Sequence, residues 1–83
     1  MNYRFSPHAL ARINERRVLN KWLNDVLTNP QQILVGQYGR EIRQSTFIRD
    51  EKPWLLRVVI EDDLVLTALL TSKLDKYGAK NED

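Results

Sequence analysis

The segment Ser6-Pro7-His8-Ala9-Leu10-Ala11-Arg12-Ile13-Asn14-Glu15-Arg16-Arg17 holds the residue types best suited to chemistry in this chain. His8, Arg12 and Arg16 stand four residues apart, so on a helix they share one face and can converge on one anion such as a phosphodiester. A neutral imidazole near pH 7 can serve as a general base. The same residues also suit a solvated helix face, with the histidine beside the cap and the arginines lying over apolar neighbours. A further cation, Arg57, interrupts the apolar run from Trp54 to Ile60. A charge in such a strand must reach solvent or be paired, and packed neighbours would hold it steady against a developing negative charge; a side chain lying out over an open face is the plainer alternative. Arg40 and Arg43 are three apart on a strand and point to opposite faces, so at most one can join Arg57. Lys73, Lys76 and Tyr77 follow the last strand, where phosphate contacts and a proton donor, or simply a solvated face, would fit.

Other chemistries are excluded or disfavoured by composition. There are no cysteines, and His8 is the sole histidine, so neither a thiolate site nor a histidine-pair metal site is available. No Asp-x-Asp-x-Asp-Gly spacing occurs, and no metal or cofactor is expected. The start lacks an apolar leader segment and no run reaches the roughly 18 apolar residues of a membrane span, so a cytoplasmic protein with no membrane partner is expected. The formal charge of +2 conceals an asymmetry. Residues 1–49 carry eight basic and three acidic side chains, and residues 50–63 carry two and five. The first half therefore supplies a positive field that suits nucleic acid or an acidic protein, as well as an ordinary solvated surface.

These residues need elements to hold them. With 83 residues the chain fits one small domain, read over 1–78, with 79–83 as a flexible polar tail. Ser6 caps and Pro7 opens a helix that runs to about Arg17, with Ala9, Leu10 and Ile13 on its apolar side. Asn20 caps a second helix over Lys21 to Thr28, ended by Asn29-Pro30. From Gln32 the period becomes two. Strands are predicted at Ile33 to Val35, Arg40 to Arg49, Trp54 to Ile60 and Leu64 to Leu70, with turns at Asp50-Glu51-Lys52-Pro53 and Asp62-Asp63. The fold class is α+β, in the order α-α-β-β-β-β, with two N-terminal helices on a small antiparallel sheet of about four strands. Both sheet faces are apolar, and two helices can cover only one; the other is expected to be exposed and to mark a partner or homodimer contact.

Ser6-Pro7-His8-Ala9 with Arg12 and Arg16, the helix pair ending at Asn29-Pro30, Gly39-Arg40-Glu41-Ile42, Leu56-Arg57-Val58-Val59 and Thr71-Ser72-Lys73 with Lys76-Tyr77 together resemble the small bacterial family known as domain of unknown function 4258. The likeness spans roughly Tyr3 to Tyr77. That family is similar in layout to the RelE/ParE-like toxins of type II toxin–antitoxin systems and to the wider group of barnase, EndoU, colicin and RelE ribonucleases. The resemblance implies a metal-independent endoribonuclease that cuts RNA by 2′-hydroxyl attack, and a cognate antitoxin as partner. It implies His8, Arg12, Arg57 and Tyr77 as catalytic residues and Arg16, Arg40, Arg43, Lys73 and Lys76 as substrate contacts. A non-catalytic ParE-like toxin, or a small protein-interaction module, would use the same layout.

Overall fold

In a computed structural model, which describes residues 2–77, Ser6 ends a two-residue strand, β1 (Arg4–Phe5), and begins helix α1 (Pro7–Glu15). Its backbone is extended, and its hydroxyl accepts from the Ala9 N–H at 3.0 Å, leaving Pro7 at the first helical position, where a missing donor does no harm. α1 ends at Glu15, short of the predicted limit near Arg17. Val18 N–H bonds back to Ile13 C=O and Arg17 N–H to Asn14 C=O, the Schellman pattern, with Arg17 left-handed at φ 53°. Ala9 and Ile13 are buried but Leu10 is exposed, because the arc of α1 that meets the sheet is narrower than the apolar arc of its sequence. Helix α2 (Asn20–Thr28) starts after Leu19 with no side-chain cap, so Asn20 is its first residue and not its cap.

Past Pro30 the chain forms β2 (Gln32–Val35), a 3-10 turn (Gln37–Gly39), β3 (Glu41–Arg49), β4 (Lys52–Glu61), β5 (Leu64–Thr71) and a second 3-10 turn (Asp75–Tyr77). The strand order is β1-β5-β4-β3-β2. The class is α+β with two helices, yet the sheet has five strands and is mixed. β1 precedes the helices and pairs parallel with β5, Arg4 opposite Leu64 and Phe5 opposite Val65, which corrects the expected order and the all-antiparallel sheet. Two residues are too few to show an alternation. An exposed ion pair, Arg4 Nη2 to Asp63 Oδ1 at 2.9 Å, accompanies β1, and the hydrogen bond from Arg4 holds the Asp63 carboxyl below its ordinary range. Any stability it brings exists above that range and is lost as pH falls through the lowered value.

Asp50 and Glu51 both have positive φ, 53° and 64°, which makes the β3–β4 connection a two-residue hairpin and brings Lys52 and Pro53 into β4. The register that follows puts Leu56, Val58 and Ile60 of β4, with Val65, Ala68 and Leu70 of β5, against Ala9, Ile13, Trp22, Val26 and Leu27 of the helices. A bulge at Leu66 lets β5 keep Val65 and Ala68 on this one face. The opposite face carries Leu55, Arg57 and Val59, Thr67 and Leu69, and Ile42, Gln44 and Thr46. It is less open than expected, because the chain turns back after β5 and Leu74 packs on fully buried Leu55. Among the described residues no helix is long and apolar enough to cross a membrane; residues 79–83 lie outside them.

Arg17 occupies a backbone conformation that costs a side-chain-bearing residue about 1–2 kcal/mol, against about 0.5–1 kcal/mol of chain entropy for glycine. Arg17→Gly should therefore raise the urea midpoint by an amount worth about 0.5–1 kcal/mol. Ser6→Ala should lower stability by about 1–2 kcal/mol, since the Ala9 N–H and the start of α1 lose their cap.

Candidate functional site

Beyond Val65 no strand pairs with the outer side of β5 among the described residues, and α1 packs along this part of the strand. Two side chains place the helix there. Ser6 Oγ donates to the Leu66 carbonyl at 2.7 Å, so the hydroxyl that caps α1 also fastens it to the β5 bulge. At the other end Arg49 reaches over from β3 and donates to the carbonyls of Arg16 at 3.1 Å and Arg17 at 2.6 Å, its guanidinium 4.6 Å from the centre of the Trp22 ring. Trp22 in turn stacks on Phe47 at 5.1 Å. Free carbonyls at a helix end are favourable partners for a cation.

Held this way, α1 turns His8, Arg12 and Arg16 toward a cleft of about 360 Å³ whose far wall is Arg57 and Val59 of β4. The run Thr67 to Leu70 of β5 forms its floor. Successive strand residues face opposite ways, so a floor made of four in sequence means that the cleft wraps the free edge of the strand. The three α1 side chains are exposed and Arg57 is half-buried. Arg12 lies 3.5 Å from Glu15, an exposed pair of little energetic weight. Among the described residues no carboxylate lines the cleft, so they present one imidazole and three guanidinium groups between apolar walls.

Gln44, fully buried on β3 directly opposite Arg57, went unpredicted. Its Oε1 accepts from Arg57 Nη1 at 3.1 Å, and its Nε2 donates to Gln32 Oε1 at 2.6 Å. A polar line thus runs across β2, β3 and β4 to the cleft, and it fixes one arm of Arg57. The signal available was a lone amide on the same strand face as Ile42, Thr46 and Ile48.

The remaining predicted residues are elsewhere. Arg43 lies on the helix-covered face, bonded to the Glu41 carboxylate and to the Leu27 carbonyl at the end of α2. Arg40 stands over the Tyr38 ring at 5.3 Å and pairs with Glu61 at 3.3 Å. Neither reaches Arg57: the two-residue turn sets Gln44 opposite it, and α2's carbonyl end draws Arg43 the other way. Lys73 and Lys76 are exposed and line a separate hollow on the segment after β5. Tyr77 closes the second 3-10 turn, and its side chain lies outside the described residues. Comparisons with models of protein families, with curated proteins and with solved structures found no match.

Gln44→Leu should lower stability by about 1–3 kcal/mol in urea unfolding, because the half-buried Gln32 and Arg57 each lose a partner. An unchanged midpoint would show that the line carries no weight.

Proposed function

We propose that the cleft between α1 and β5 binds RNA and cleaves it without metal, as an endoribonuclease of the RelE/ParE-like toxin class. The convergence of His8, Arg12, Arg16 and Arg57 from two elements on one cleft is the observation that supports this reading. A phosphodiester between the guanidinium groups would meet the cations its pentacoordinate transition state needs. His8 takes the proton of the 2′-hydroxyl, whose oxygen attacks phosphorus. The bond to the 5′-oxygen breaks, giving a 2′,3′-cyclic phosphate and a 5′-hydroxyl, the leaving oxygen taking its proton from water. Val59 and Leu69 offer apolar surface beside the phosphate for the faces of bases. In this reading the cellular partner is an antitoxin whose binding blocks the cleft.

The test is cleavage of a single-stranded RNA in EDTA, with the product ends identified. The native chain should leave 2′,3′-cyclic phosphates. His8→Ala should slow cleavage by about 100-fold or more, and Arg57→Ala by about 100- to 1,000-fold. Equal inertness of all three proteins would sink the catalytic reading. Binding of RNA by His8→Ala should weaken with salt at a slope near −2, about −0.7 for each phosphate met by one of the three arginines.

A further inference from the structure

The sheet's two edges differ in kind. Away from the cleft, the free edge among the described residues is β2, whose sequence Gln32-Ile33-Leu34-Val35 holds no charge and no proline, the usual means of blunting an edge. Val35 is 82% exposed and Tyr38 86%, with Ile33 and Leu34 also exposed. The backbone along this edge can be read from one bond. Gly36 N–H donates to Arg40 C=O at 2.8 Å. With Val35 opposite Glu41 and Leu34 opposite Ile42, the antiparallel alternation turns Leu34 and Gln32 inward to β3 and leaves the N–H and C=O groups of Ile33 and Val35 pointing outward.

We propose that β2 pairs antiparallel with β2 of a second copy of this chain, joining two sheets edge to edge. What favours a second copy is self-complementarity. Setting Ile33 opposite Val35 of the other copy matches all four outward N–H groups with all four outward carbonyls across a two-fold axis. It places Leu34 opposite Leu34 on that axis as a pair without mutual hydrogen bonds. Each strand then meets apolar residues with apolar residues, and no like charges are opposed. The clefts at β5 lie at the outer edges of the joined sheet and stay open, so the pairing stands or falls independently of the RNA reading.

The test is sedimentation equilibrium of the full chain from low to high micromolar concentration. A reversible dimer is expected. Val35→Lys, at an exposed position that the fold does not need, should raise the dissociation constant by about tenfold or more while leaving the circular dichroism spectrum unchanged. Leu34→Cys introduces the only cysteine, and on oxidation it should form a disulfide-linked dimer. The Cα atoms of such a pair stand about 4.5 Å apart, inside the range of about 4.4–6.8 Å that a disulfide spans. A native chain that stays monomeric throughout, as it would if this edge served a different protein, overturns the proposal. So does a dimer that survives Val35→Lys or leaves Leu34→Cys unlinked.

Discussion

The position of α1 depends on one hydroxyl. Ser6 Oγ accepts from the first turn of the helix and donates to the Leu66 carbonyl at the β5 bulge, so the helix axis is referenced to an irregularity in the sheet. A helix docked only by Ala9 and Ile13 could slide, since apolar contact has no direction. The Ser6 bonds do have direction, and Arg49 at the far end prevents rotation about them. Everything the cleft offers follows: side chains at positions 8, 12 and 16 project past the strand edge because the helix is held beside it.

The sheet divides its labour between edges. At β5 the edge is used for a concave, cationic surface, with its backbone partly shielded by α1. At β2 it is left uncharged and largely apolar. Between them the strands carry the line Gln32–Gln44–Arg57, in which the buried Gln44 amide bonds to a half-buried residue on either side, a state that a low-dielectric setting makes stiff. Arg57 therefore enters the cleft as a fixed group, while Arg12 and Arg16 come as exposed ones from a helix surface.

Much of this was legible in the residues. The i, i+4 spacing of His8, Arg12 and Arg16 needs only helical geometry to be read, and Arg57 stands out as a charge in an apolar strand. The three-stranded meander and both helices follow from periodicity and from Pro7 and Pro30. β1 did not, because its pairing is parallel, non-local and two residues long. Arg40 and Arg43 stand away from Arg57 because a cation's partner is decided by what crosses the sheet, here the end of α2 and Glu61, and periodicity carries no such information. Gln44 escaped for a related reason: a neutral amide in a strand acquires meaning only once the turn has fixed which residue faces it. The apolar open face was overestimated because Leu74 folds back onto it from a segment with no period of its own.

The strand that begins the fold finds its partner some sixty residues later, Arg4 beside Leu64, and α1 rests on the same late strand. During synthesis α2 and the β2–β3 hairpin can form as they emerge, but α1 has nothing to lie against until β5 has left the ribosome. His8, Arg12 and Arg16 meet Arg57 only then. The cleft therefore forms only when a long loop closes between β1 and β5.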